Sequence, residues 1–555
     1  GIRAMGDQEF DICKSIDCMT KYSEMVIDPM RIRYCLEKAL YLAKSGRPGP
    51  CWLDIPLNVQ GAFVETEDLE GFDPEDYENG GTGWGTMGNI HAIPEDEAGK
   101  GEKRQLLPGK VSRETADLIL SKIRAAKRPV INAGNGIRIA GAHDVFMRVA
   151  EKLGIPVITG WDSEDCIWDE HPLYTGRAGN MGDRAGNFAI QNSDLVLSVG
   201  SRLSIRQVGY NYKTWARAAF VIANDIDSEE LKKPSVHADL AVHADAKDLL
   251  EQLDGALDEI LEKEGNQLAE SLSKKGEKQL FDGGEGLPGM NWSETCRMWK
   301  ETYPVVQEKH WNFTDQEPAN VYAAIQAISS RLKEGQITVV GNGSACVVGG
   351  HAYVIKKGQR FITNSAVAAM GYDLPAAIGA WTASRDSRCY SQGRDRSGED
   401  LILVTGDGSI QMNLQELQTI IHHKMGIKIF LINNGGYHSI RQTQKNFFGE
   451  PLIGIGVDSG DLSFPDMEKL AGAYGYPYIK AEHNSELAKA VEQTLAVEGP
   501  VICEIFVSMD QNFEPKSSAK RLPDGTLVSP PLEDLAPFLP EEEMDRNMII
   551  PRIRE

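Results

Sequence analysis

An α/β protein built on open parallel sheets, with helices on both faces, is the fold class this sequence predicts. Three observations carry the prediction. Continuous apolar, β-branched runs such as "LILVT" (401–405) and "IKIFLIN" (427–433) read as strands buried on both faces. Stretches with helical periodicity, such as "HDVFMRVAEKLG" (143–154), alternate with them. The alternation occupies two separate segments, about 111–255 and 316–510, so more than one sheet is expected.

The 555 residues are too many for one core, and two to four domains follow. Hydrophobic content of 41% and charged content of 25% are those of an ordinary globular protein. A formal charge of −23 disfavours nucleic acid or an anionic membrane as partner. No apolar run approaches the roughly 18–20 residues that cross a bilayer. Nine scattered cysteines, among them Cys13, Cys18, Cys51, Cys346 and Cys503, read as buried free thiols suited to a reducing cytoplasm. None has zinc-site spacing.

In chain order, residues 1–62 hold an amphipathic helix, a Gly-Pro turn and a buried strand, one βα edge of a larger domain. Residues 63–110 are acidic and glycine-rich, as in an exposed linker or insertion. Residues 111–255 supply "RPVINAG", "IPVIT", "SDLVLSVGSR" and "AAFVIANDID", the strands of a Rossmann-like central domain. Residues 256–315 are polar and helix-prone and read as a second linker, despite the tryptophans in "NWSETCRMWKETY". Residues 316–512 return to alternation, interrupted by a polar surface loop between Ala383 and Leu401. Residues 513–555 are proline-rich and read as an arm draped over the surface.

The chemistry concentrates in "VTGDGSIQMNLQELQTIIHHKMGIKIFLINNGGYHSI" (404–440). Ile410, Leu414, Leu417, Ile420 and Ile421 predict a helix over 409–424, and a right-handed crossover joins the two flanking strands. Asp407 and Asn434 then fall just beyond the carboxyl ends of those strands, the edge where open α/β sheets bind ligands. Gly406 and Gly408 let backbone approach a bulky ligand. The N–H groups of Gly408 and Ser409 open a helix and favour a phosphate. A carboxylate, an amide oxygen and a carbonyl of the glycine turn are hard ligands for Mg²⁺, with phosphate oxygens completing the octahedron. Either glycine cluster alone is an ordinary turn; joined by one crossover, they predict a metal-bridged diphosphate.

"GDGS…INN", with about 24 residues between, resembles the thiamine-diphosphate signature. "GRPGPCWLDIPLNVQ", "SDLVLSVGSRLSIRQVG", "AAMGYDLPAAIGA" and "GDGSIQMNLQELQTI" are similar to the acetolactate (acetohydroxyacid) synthase large-subunit branch of that family. The resemblance implies a thiamine-diphosphate-binding fold: 1–62 as the C-terminal part of a pyrimidine-binding domain, 111–255 as the central domain and 316–512 as the diphosphate-binding domain. It implies Mg²⁺ ligands at Asp407, Asn434 and the carbonyl of Gly436, with Gly406, Gly408 and Ser409 along the diphosphate. Met370 would be the apolar wedge that bends the cofactor, and Ala368 would offer its carbonyl to the aminopyrimidine. Arg206 would grip the carboxylate of a second keto acid. The implied reaction is decarboxylation of a 2-keto acid, with pyruvate as donor, and ligation of the acetyl unit to a second carbonyl. That places it in branched-chain amino-acid biosynthesis, in a cytoplasmic homodimer or tetramer with the site between subunits.

Several family positions differ. Ser344, expected to touch the cofactor, heads a "SAC" stretch where the family has Gln-His-Gln near the diphosphate, Leu57 replaces a lysine, and Ile205 replaces the acidic neighbour of Arg206. Thr443 stands where a tryptophan lines the acceptor pocket, so a larger acceptor such as a nucleotide-linked keto-sugar stays open, as does a proton, giving a simple decarboxylase. For FAD, Arg202 matches a flavin-contacting arginine of the family and Gly134, Gly136 and Gly141 supply glycines, but not at dinucleotide-fingerprint spacing; an empty Rossmann-like scaffold is the other reading. The activating glutamate is expected before Gly1, since residues 1–62 match only the second half of the pyrimidine-binding domain and Glu9 belongs to a later element. A degenerate subunit serving only in assembly is the non-enzyme alternative.

Overall fold

The computed structural model describes residues 12–82, 108–235, 237–269, 279–281, 283–365, 368–386, 399–521 and 527–553. Near the start, β1 (Tyr22–Met25) and β2 (Cys51–Asp54) pair in parallel across α1 (Ile32–Lys44), with Tyr22 opposite Cys51. The strand read as buried is open on one side, where Trp52 is 45% exposed. Part of the segment read as a linker also folds back: Phe72 is buried against Tyr34 and Tyr41, and its N–H donates to Glu37 at 2.8 Å. An aromatic side chain supplies the burial that the acidic composition around it conceals. Residues 83–107 and Glu9 lie outside the described residues.

The central domain follows as α2 (Arg113–Ala125), β3 (Pro129–Ala133), α3 (His143–Leu153), β4 (Val157–Thr159), β5 (Tyr174–Arg177), α4 (Arg184–Asn192), β6 (Leu195–Val199), β7 (Phe220–Asp225), β8 (Leu240–His243), α5 (Ala246–Ala269) and α6 (Trp292–Thr302). Its six strands are all parallel, in the order β5-β4-β3-β6-β7-β8. Every residue of β3 and β6 is buried, as covered parallel strands require. The order reverses between β3 and β6, the switch point of a doubly wound sheet.

The C-terminal domain is a second six-stranded parallel sheet. It comprises α7 (Val321–Arg331), β9 (Ile337–Val340), α8 (Ser344–Ala352), β10 (Arg360–Thr363), α9 (Asp373–Ala383), β11 (Leu401–Gly406), α10 (Glu416–His422), β12 (Ile427–Asn433), α11 (His438–Phe447), α12 (Met467–Tyr474), β13 (Tyr478–Ala481), α13 (Asn484–Ala496) and β14 (Val501–Phe506). The order is β10-β9-β11-β12-β14-β13. The predicted single helix over 409–424 is broken. A four-residue turn, Asp407–Ile410, and a 3-10 turn, Gln411–Asn413, precede α10. The break frees two amides for local duty: Gln411 donates to the carbonyl of Asp407 at 2.8 Å and Asn413 to that of Gly371 at 2.6 Å. Of the polar loop after Ala383, residues 387–398 lie outside the described residues.

Two further expectations are corrected. Residues 256–315 do not form a linker. Helix α5 continues past 255 with Leu257 fully buried, and α6 drives Trp292 and Trp299 into the central core, 5.7 Å apart edge to face. The Trp292 indole donates to the Pro129 carbonyl at 2.9 Å, so the helix is fastened to β3. Nor is the C-terminal arm merely draped: Leu532 and Met544 join the same core, and Asn547 on α14 (Glu541–Asn547) accepts from the Trp299 indole at 2.8 Å.

This core membership predicts that Trp299→Ala costs about 3–5 kcal/mol in denaturant unfolding. A loss below about 1 kcal/mol would show that α6 is peripheral.

Candidate active site

Strands β11 and β12 pair in parallel with Gly406 opposite Ile432, which brings the turns after them side by side. Asp407 is 4% exposed and accepts from the N–H groups of Gly408 at 2.8 Å and Gly436 at 2.9 Å. Burial pushes its carboxyl up to about 6, against the N–H groups of Gly408, Gly436 and Gly435 and the charge of Arg441. Asn434 is buried beside it. Its amide donates to the Ser344 hydroxyl at 2.8 Å, which leaves Oδ1 without a hydrogen-bond partner. An orphaned buried amide oxygen next to a buried carboxyl is a pair that a hard cation would satisfy. The neighbouring Asn433 is turned away, to Glu504 at 2.7 Å.

Other groups fix this pair. Arg441, 1% exposed, donates to the carbonyls of Asn434 at 3.2 Å and Gly435 at 3.1 Å and pairs with Asp458 at 2.9 Å. Gly408 has the Tyr437 ring against it, and an added Cβ would meet that ring at 2.5 Å. Ser409 is turned inward: its oxygen accepts from the Gly371 N–H at 3.0 Å and its hydroxyl bonds Asp373, so its backbone N–H is what remains for a phosphate.

Across the cleft, Ala368 has φ +56°, a conformation costly for a residue with a side chain. Asn342 holds the next carbonyl, that of Ala369, at 2.7 Å. Met370, 43% exposed, lines the same cavity of about 300 Å³ as Ser344, Ala368, Gly406, Asp407, Gly408, Ser409, Asn434 and Gly436. Every sequence-predicted residue for the diphosphate, metal and wedge therefore meets here. His438, also on this wall, donates through Nε2 to the Gln511 carbonyl at 2.7 Å, and burial lowers its imidazole to about 4. Thr443 is exposed, its hydroxyl on the Ser439 carbonyl at 3.1 Å, and does not line the cavity. Leu57 is 82% exposed, far along the chain from these turns. Asn342, Tyr437 and Arg441 were not foreseen from sequence.

A larger cavity, about 910 Å³, lies at the switch point of the central sheet. Gly134 and Gly136 after β3, Arg202 and Arg206 after β6, and Asp225 ending β7 line it; Gly141 does not. Gly136 packs on the backbone of Gly200, where an added Cβ would come within 2.7 Å. Asn224 leaves its buried Oδ1 unpartnered. Trp161, Arg206 and Ser365 line both cavities. The seam between the two sheets is tied by Arg177, fully charged and buried, which donates to the carbonyls of Gly350, His351 and Tyr353 at 2.7–3.1 Å. Asp165 adds a second tie, to Arg360 at 2.7 Å and the Phe361 N–H at 3.0 Å.

Comparison with known proteins agrees with this architecture. The family model "Thiamine pyrophosphate enzyme, central domain" matches residues 116–253, and "Thiamine pyrophosphate enzyme, C-terminal TPP binding domain" matches 341–505, together more than half of the chain. The chain is 26% identical over 524 residues to a probable acetolactate synthase large subunit of Methanococcus aeolicus, covering 94% of this chain and 76% of that protein. It is 28% identical to the acetolactate synthase large subunit of Cyanidium caldarium, covering 92% and 75%. For that of Lactococcus lactis subsp. lactis the identity is 27%, with the same coverage of each chain.

Glu164, 2% exposed at the seam beside Gly350, supplies a ligand-free test. Burial raises its carboxyl from 4.5 to about 8, partly offset by Arg177. The folded chain thus keeps a proton that the unfolded chain releases above about 4.5, and stability falls as pH rises from there to about 8. Glu164→Gln, which has no such proton, gains stability relative to wild type between about pH 5 and 8. A pH-independent difference in unfolding midpoint would contradict the assignment.

Proposed function

The chain belongs to the thiamine pyrophosphate enzyme family, and we propose that it is a thiamine-diphosphate- and Mg²⁺-dependent carboligase of the acetolactate synthase type, with pyruvate as donor. The observation that carries the reading is the orphaned Oδ1 of Asn434 beside the buried Asp407 carboxyl at the ends of paired strands. Asp407, Asn434 and the Gly436 carbonyl would hold Mg²⁺, with Ser344 and Arg441 fixing their orientation. When bound, thiamine diphosphate supplies a carbon nucleophile and an electron sink for loss of CO₂ from a 2-keto acid.

The chain's own residues seat, orient and exclude water. Met370 and Ala368 form the wall opposite the metal pair, and Asn342 keeps their segment in its strained form. Arg206 presents a permanent positive charge to a keto-acid carboxylate. His438 is neutral at physiological pH, so it adds no charge to the cavity. The larger cavity has the position and size for a dinucleotide such as FAD, and its glycine-lined floor allows close backbone approach. The names of the relatives, acetolactate synthase large subunits, support a small-molecule substrate and an oligomeric assembly, which we read as a 2-keto acid and a homodimer or tetramer.

A second reading keeps the donor and changes the acceptor. Thr443 is exposed and does not close the cavity, which favours a larger carbonyl compound, such as a nucleotide-linked keto-sugar, over a second pyruvate.

Two measurements test these readings. Calorimetric titration with thiamine diphosphate and Mg²⁺ should show binding that Asp407→Asn and Asn434→Ala each weaken by roughly 100-fold or more, since even outer-shell losses at metal sites cost about 10- to 100-fold. Unchanged binding would overturn the metal assignment. Incubation with pyruvate alone should give acetolactate; release of acetaldehyde would favour a decarboxylase, and product only with a keto-sugar would favour the second reading.

A further inference from the structure

Arg206 stands where the two cavities meet, and no carboxylate among the described residues pairs with it. Its charge is instead set against an aromatic face: the guanidinium carbon lies 4.8 Å from the ring centroid of Trp161. The adjacent Asp162 makes no ion pair with it; that carboxylate accepts from the Ser365 hydroxyl at 2.6 Å. The distinction has a physical consequence. A carboxylate partner fixes an arginine and cancels its charge, whereas an indole face fixes it through the ring quadrupole and leaves the charge available.

Both partners are mounted on rigid backbone. The Trp161 turn is pinned by Ser163, whose hydroxyl donates to the Ala133 carbonyl at 2.8 Å and accepts from the Gly160 N–H at 2.9 Å. Asp162 in that turn has φ +69°, a strained value held by its tie to Ser365. The far edge of the indole packs on Gly350, where an added Cβ would lie 3.8 Å from it. On the other side, the Arg206 carbonyl accepts from the Asn180 N–H at 2.8 Å, and Gln207 next to it donates to Asn132 at 2.9 Å.

We propose that Trp161 is a positioning residue: it holds Arg206, to which the proposed function already gives a keto-acid carboxylate, as an uncompensated anion-binding group at the window between the two cavities. The identity of the anion rests on the proposed function; the hold of Trp161 on Arg206 does not. Preorganisation of this kind lowers the ordering cost of binding without adding a contact to the ligand.

The probe is oxamate, an unreactive carboxylate of pyruvate's shape, titrated calorimetrically without thiamine diphosphate or Mg²⁺. Arg206→Gln should abolish or nearly abolish binding. Trp161→Leu should weaken it by roughly 10- to 30-fold, the range expected for losing a desolvated cation–π contact. Trp161→Phe, which keeps an aromatic face, should stay within about 3-fold of wild type. Far-ultraviolet circular dichroism and the unfolding midpoint should be the same in all four proteins, as a generally damaged fold would not allow. Should the leucine variant fail to fold, Trp161→Met gives the same reading. Oxamate binding by Trp161→Leu equal to wild type, damage by phenylalanine equal to that by leucine, or no binding by wild type would each overturn the proposal. Failure of wild type to bind thiamine diphosphate would undo the proposed function and leave the oxamate comparison standing.

Discussion

The site depends on one pairing, that of β11 with β12. Their parallel register sets Gly406 opposite Ile432, so the carboxyl of Asp407 and the amide of Asn434 emerge from neighbouring strand ends. Side chains alternate along a strand, so a slip of one residue would turn the buried apolar residues of β11 and β12 to the wrong faces. The cores on the two sides of the sheet therefore hold the register, and the register holds the two polar groups together. Everything else in the cleft refines that placement. Ser344 rotates the amide, Arg441 holds the turn behind it, and Tyr437 packs against Gly408.

Two switch points face each other across the seam. Each six-stranded sheet has a reversal of strand order, between β3 and β6 in one and between β9 and β11 in the other, and each of these opens a cavity at the carboxyl ends of the strands. Arg177 and Asp165 hold the sheets in that relation by satisfying backbone groups of the opposite domain. The arrangement gives the cavity of about 910 Å³ and that of about 300 Å³ a common wall. Trp161 and Arg206 occupy this position.

Much of the fold was legible because covered parallel strands leave uninterrupted apolar runs. "LILVT" and "IKIFLIN" could be located and their ends read as a ligand edge. What was not legible is whatever depends on pairing across long separations. Ser344 meets Asn434 90 residues later, and Asn342 meets Ala369, with nothing in the local period to indicate either contact. The segment 256–315 was misread because amphipathic helices with polar outer faces have the composition of a linker; Trp292 and Trp299 were the signal of burial. The helix over 409–424 broke because Gln411 and Asn413 serve backbone carbonyls around the cleft, a demand that apolar spacing cannot express. Trp161 lies in a loop, where no periodicity speaks for it.

The most direct test of the central claim, that Asp407, Asn434 and the Gly436 carbonyl form one metal–diphosphate clamp, is a crystal structure of the protein with thiamine diphosphate and Mn²⁺ in place of Mg²⁺. The account predicts one strong anomalous peak within coordination distance of all three groups and of two phosphate oxygens, with Ser344 still accepting from the Asn434 amide. A diphosphate bound without a metal at these residues, or a metal peak elsewhere, would contradict it.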